Sequence, residues 1–251
     1  MNILLITTLA IGFSTFFGTL GGLFIRKIPH KYNDMILGGA SGIMLGAAIL
    51  GLIVPASEIK GKYTLLMVIA GVIAGALLVS ILDKVTPHLH RLAGLDQEDH
   101  THNTGVSRIL LFIAAIAIHK FPEGLAAGVS FGTGELGDIL TVSGSIALQN
   151  IPEAMVIVAP LLAVGVSMKR TLLISLGIGL ISMTGTLLGY ALISITAVIL
   201  PLFLSFAGGT MLYVISDEMI PETHSHGFEK QATFATITGF LLVLILQHLL
   251  G

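Results

Sequence analysis

From Thr171 to Ser216 the chain contains no charged residue. That is about twice the roughly 20 apolar residues that one helix needs to cross a bilayer, so the stretch must turn once. Pro201 and the small, polar residues around Ser194 and Thr196 mark where. The pattern is not local. The 251-residue chain is 54% hydrophobic and 10% charged, against roughly 25% charged in soluble domains. Its mean hydropathy is +0.97. Ile3 to Ile25 is likewise uncharged and too long for the core of a signal peptide, so it reads as a retained span. The 30 glycines suit membrane helices whose backbones approach closely. The absence of cysteine excludes disulfides and thiolate metal sites. A formal charge of −2 without a basic run argues against a nucleic-acid partner. The expected partner is the lipid bilayer.

These runs predict an all-α polytopic membrane protein: one transmembrane domain over 1–251 with eight transmembrane helices near 3–25, 34–57, 63–83, 108–131, 138–164, 170–194, 198–220 and 231–250. Lys and Arg set the orientation. With the N-terminus outside, the inner loops hold Arg26, Lys27, Lys31, Lys84, Arg91, Arg108, Lys169, Arg170 and Lys230, and the outer loops only Lys60 and Lys62. Eight spans then put both termini outside the cytoplasm.

Two segments interrupt the apolar pattern in the same way. Ile118-His119-Lys120-Phe121-Pro122-Glu123-Gly124 and Leu148-Gln149-Asn150-Ile151-Pro152-Glu153-Ala154 each read apolar, polar, polar, apolar, Pro, Glu, small. Ionisable residues at membrane depth are costly and mark ion pathways. Adjacent spans run antiparallel, so the two copies enter the bundle centre with opposite polarity, the pattern of inverted, proline-interrupted helices at a transporter's midplane site. The expected fold is therefore an inverted-repeat bundle with proline-kinked central helices.

Positions i and i+4 share a helix face, so His119 points with Glu123 and Gln149 with Glu153. The prolines cannot donate, which frees the carbonyls of Ile118 and Leu148. One imidazole, two carboxylates and one amide oxygen form an N/O set suited to a borderline divalent ion, Zn²⁺ first, with Mn²⁺, Fe²⁺, Co²⁺ and Cd²⁺ as further candidates. Cu⁺ would ask for Cys or Met clusters.

The loop over 86–107, placed in the cytoplasm, carries His88, His90, His100 and His102 beside Asp96, Glu98 and Asp99. Weak metal binding and a merely solvated loop are both open there. Asp217, Glu218, Glu222, His224 and His226 gather where the seventh span leaves the membrane. They read either as a hand-off station toward that loop or as a solvated helix end.

The paired segments resemble the signature of the ZIP (Zrt-/Irt-like) family of divalent metal transporters, carried by its fourth and fifth spans. Ser216-Asp217-Glu218-Met219-Ile220-Pro221-Glu222-Thr223-His224 resembles a third family segment. The resemblance implies a bacterial-type member, homodimeric, not an enzyme, moving metal ions into the cytoplasm across the cell inner membrane. It implies an elevator in which spans one, four, five and six move against two, three, seven and eight. It assigns His119, Glu123, Gln149 and Glu153 to the principal metal site, Asp217, Glu218 and His224 to the inner exit, and Met44 to the outer entrance.

Many members hold a second metal beside the first. Of the positions used for it, Asn150 remains here, Lys120 replaces a ligand, and the sixth span has no carboxylate. A charged lysine has no lone pair for a cation, so one expectation is a single-metal site with Lys120 standing in for the second ion. The other is a Lys120 that reaches toward the headgroups. Rival functions are a metal-selective channel, which sequence does not separate from a carrier, and an intramembrane metalloenzyme. The second lacks His-Glu-x-x-His, and both glutamates read as ligands rather than as a general base.

Overall fold

The computed structural model describes residues 3–25, 29–85, 117, 119–163, 165–193 and 197–250. These form α1 (Ile3–Ile25), α2 (His30–Glu58), α3 (Thr64–Val85), α4 (119–129), α5 (Leu136–Ala163), α6 (Met168–Ile193), α7 (Leu200–Thr223) and α8 (Glu229–Leu250). No strand occurs among the described residues. All but α4 are long and apolar enough to cross a membrane, which gives seven candidate spans among the described residues. Most of the expected span 108–131 before His119 lies outside the described residues, as does the loop bearing His88, His90, His100 and His102. The chain is a polytopic integral membrane protein.

The helix ends follow from local chemistry. Pro29 precedes α2, and its carbonyl accepts from Tyr32 N–H at 2.9 Å and Asn33 N–H at 3.0 Å. Past α5, Gly165 takes φ = 88°, which a side chain would oppose. Gly165 N–H returns to Leu162 O and Val166 N–H to Leu161 O, both at 3.0 Å, the double bond of a Schellman stop.

Two helices change register internally. Residues Ala47–Ile53 of α2 and Ile215–Met219 of α7 are π-helical, and each stretch ends one residue short of a proline, Pro55 or Pro221. A helix proline lacks the N–H and crowds the carbonyl four residues back. The ladder slips instead, so that Val54 N–H bonds Ile49 O and Ile220 N–H bonds Ile215 O. Leu50 O is then left without a main-chain donor, and the Gln247 side-chain amide on α8 donates to it at 3.0 Å. Pro122 and Pro152, by contrast, sit inside runs that stay helical throughout.

Packing is extensive between α3 and α7, α2 and α8, α1 and α5, α2 and α7, and α1 and α6. The fourth helix joins the last of these: Gly124 and Gly128 meet the carbonyls of Ser182 and Thr186 on α6, while Gly185 and Gly189 meet those of Phe121 and Leu125. A Cβ on Gly124 or Gly128 would overlap the opposing backbone, so the small-residue pairs set how near the helices lie. The helices can be grouped as α1, α4, α5 and α6 and as α2, α3, α7 and α8, with α5 packing across the division against both α2 and α8.

Candidate metal site

The two proline-glutamate segments fall on α4 and α5 and face each other inside the first set. Their side chains are buried: Lys120 is 4% exposed, Glu123 2%, Glu153 9%, and Gln149 and Asn150 not at all. Lys120 Nζ lies at the centre. It donates to Glu123 Oε2 at 2.6 Å, to Asn150 Oδ1 at 2.7 Å and to Glu153 Oε2. An ammonium has three protons and no lone pair, and here three acceptors take them. Asn150 is oriented from its other end, because its Nδ2 donates to the carbonyl of Ile11 on α1 at 3.2 Å, which turns Oδ1 toward the lysine. Three helices of one set therefore fix this cluster.

Two ligand-type groups beside it are unsatisfied. Neither Gln149 Oε1 nor Nε2 meets a hydrogen-bond partner among the described residues, and the same holds for Glu153 Oε1. A buried polar group without a partner typically costs about 1–3 kcal/mol, and such groups in native structures call for an explanation such as a bound ion or water. A cavity about the size of one water molecule is lined by Lys120 together with Thr15, Thr19 and Ser175. There Thr19 Oγ1 donates to Ser175 Oγ at 2.8 Å and Ser175 Oγ to Thr15 O at 3.1 Å.

His119 turns elsewhere. Its Nε2 is 3.0 Å from Glu218 Oε1 on α7, so this contact bridges the two helix sets. As the side chains stand, no three His, Asp or Glu residues among the described ones gather as a metal-holding group. The structure brings Glu123, Glu153, Asn150 and Lys120 together, with Gln149 one residue from Asn150 on α5, and pairs His119 with Glu218 on α7.

At the end of α7, Asp217 is exposed and Glu222 half-buried. His224 is held at both nitrogens, with Nδ1 2.8 Å from Ile220 O and Nε2 3.1 Å from Thr233 Oγ1 on α8. Met44 is 1% exposed and belongs to the apolar core. Two residues that sequence reasoning passed over join this end. Asp34, fully buried, accepts from or pairs with His226 Nδ1 at 3.0 Å through Oδ1, and His226 stacks on His30 with centroids 4.6 Å apart. The signal was present: His30 and Asp34 are four apart at the start of α2 and share a face.

A family model described as "ZIP Zinc transporter" matches residues 93–247. The chain is similar to "Zinc transporter GufA" of Myxococcus xanthus, with 39% identity over 98% of each chain. It is 36% identical to "Zinc transporter ZIPB" of Bordetella bronchiseptica over 96% of this chain and 80% of that protein. "Zinc transporter ZupT" of Chlorobium chlorochromatii is 29% identical, over 95% of this chain and 94% of that one.

Proposed function

The chain belongs to the ZIP zinc transporter family, and from that premise we propose that it carries divalent transition-metal ions, zinc foremost, into the cytoplasm through a single-metal site between α4 and α5. It is a transporter and not an enzyme. The observation that carries the reading is the pair of buried, unpartnered groups, Glu153 Oε1 and the Gln149 amide, set beside two carboxylates that already share an ammonium. Their oxygens are hard donors with no hydrogen-bond partner among the described residues. With Glu123 and His119 they complete the N/O set that a zinc-like ion accepts. His119 joins by leaving Glu218.

Lys120 then occupies the position of a second ion. It bridges Oε2 of both glutamates, leaving each carboxylate's other oxygen for the transported ion. Transport follows from the division of the helices. The set α1, α4, α5 and α6 carries the site, and α2, α3, α7 and α8 form the scaffold against which it moves. Breaking the His119–Glu218 contact is part of that movement. In this reading α4 belongs to a full span over 108–131, with bends at Pro122 and Pro152. Eight spans place both termini outside the cytoplasm in the cell inner membrane, and two chains make the working homodimer. Asp217, Glu218, Glu222 and His224 receive the ion at the inner side, and the histidine loop over 86–107 lies beyond them.

The test is metal uptake by proteoliposomes across a panel of divalent ions, wild type against His119→Ala and Glu153→Ala. Saturable uptake that falls at least tenfold in both variants is expected. Undiminished uptake in both would remove the site. Flux that rises linearly with concentration, without saturation, would replace the carrier by a channel.

A further inference from the structure

The charges at the site have a consequence for how the membrane potential acts on each half of a transport cycle. Lys120 is hydrogen-bonded to three acceptors, two of them carboxylates. Three acceptors need three protons, which an ammonium supplies and a neutral amine does not. All its partners sit on α4 and α5, and Asn150 is tied to α1, so the lysine belongs to the same body as the ligands. The remaining acids near the site, Asp217 and Glu218, lie on α7 in the other set.

Among the buried residues of the moving body the charged ones are Glu123, Glu153 and Lys120, a sum of −1 when empty, while Asp138, Lys169 and Arg170 stand at the helix ends. Gln149 carries no charge, and an imidazole that binds a metal ion does so in its neutral form. A bound dication brings the sum to +1. Resting on the carrier reading above, we infer that Lys120 divides the electrical work of the cycle equally between its two strokes: the loaded site moves inward as a net cation and the empty site returns outward as a net anion. An inside-negative potential drives both. Without the lysine the loaded site would be neutral and the empty site −2, and the potential would act on the return alone.

The sizes are measurable. One charge crossing the whole field of 100 mV shifts an equilibrium about 50-fold. With the barrier midway, a stroke changes rate up to about sevenfold. Two assays in proteoliposomes under a valinomycin-clamped potassium potential separate the strokes. Metal-for-metal exchange, with zinc on both sides and a tracer on one, uses only the loaded stroke. Net uptake into vesicles holding a chelator uses both.

In the wild type, exchange falls up to about fourfold between 0 and −100 mV, because one of its two loaded crossings is then uphill, while net uptake rises. In Lys120→Met, exchange is the same at every potential while net uptake still rises. Lys120→Arg, which keeps the charge, retains the wild-type pattern and serves if the methionine variant does not fold. Wild-type exchange that ignores potential, or Lys120→Met exchange as steep as the wild type, would overturn the inference. Loss of saturable flux, or uptake that survives His119→Ala and Glu153→Ala, would instead count against the carrier and its site.

Discussion

Gln149→Leu separates stability from function. Gln149 is fully buried, and both atoms of its amide lack partners among the described residues. Leucine has a similar volume, so the substitution removes an unsatisfied amide without opening a large cavity. Taking about 1–3 kcal/mol for a buried polar group left unpaired, the metal-free protein gains roughly that amount. For a chain of this size about 1 kcal/mol moves Tm by about 2–4 °C, so the gain reads as a rise of roughly 2–12 °C. The metal response goes the other way. A ligand that binds only the folded state stabilises it by about 2.7 kcal/mol at a hundred times its Kd, and the variant has lost one of the proposed donors. The assay is thermal unfolding in detergent, chelated and with a zinc titration. The expected outcome is a higher Tm without metal and a smaller metal-dependent rise. A lower chelated Tm together with an unchanged metal response would refute the reasoning, since Gln149 would then be an ordinary, satisfied core amide.

Two further substitutions test the scaffold around the site. In Gly124→Val the new Cβ meets the Ser182 backbone, which cannot yield as a side-chain tip would. The α4–α6 approach should open at a cost of about 1–3 kcal/mol or more, seen as a lower Tm and lower uptake, whereas the same change at Gly144, with open space around it, should leave both nearly unchanged. Gln247→Leu removes the donor to Leu50 O and should lower stability by about 0.5–1.5 kcal/mol, the usual net worth of one hydrogen bond. Gln247→Glu should do no better, because a carboxylate cannot donate to that carbonyl.

Much of the architecture was legible because lipid imposes a simple rule: every backbone group must be satisfied within the segment, so a long apolar run has to be a helix. The uncharged stretch from Thr171 to Ser216 had to turn, and it is shared between two described helices, Met168–Ile193 and Leu200–Thr223. The paired Pro-Glu segments likewise stood out, since acids are expensive at membrane depth. What the pattern could not reveal was long-range. Helical spacing puts His119 on the face of Glu123, but whether its ring turns to Glu123 or to Glu218 depends on where α7 lies. The π-helical stretches follow from Pro55 and Pro221, yet a proline signals only that the ladder must adjust, not that it will slip rather than bend. Gln247 read as one polar residue in an apolar helix. Its purpose appears only once α8 lies beside the orphaned Leu50 carbonyl. The pairing of Asp34 with His226 depends in the same way on the approach of two segments far apart in sequence.

The central claim is that one metal ion, not two, binds between α4 and α5, with the Lys120 ammonium filling the second place. The most direct measurement is metal stoichiometry in purified protein, by elemental analysis after equilibrium dialysis against zinc, with His119→Ala/Glu153→Ala as the blank for sites elsewhere. The account predicts one zinc per chain above that blank in the wild type, and two in Lys120→Asn, where an amide oxygen replaces the ammonium. Two zinc ions per chain in the wild type, both lost in the blank, would contradict it.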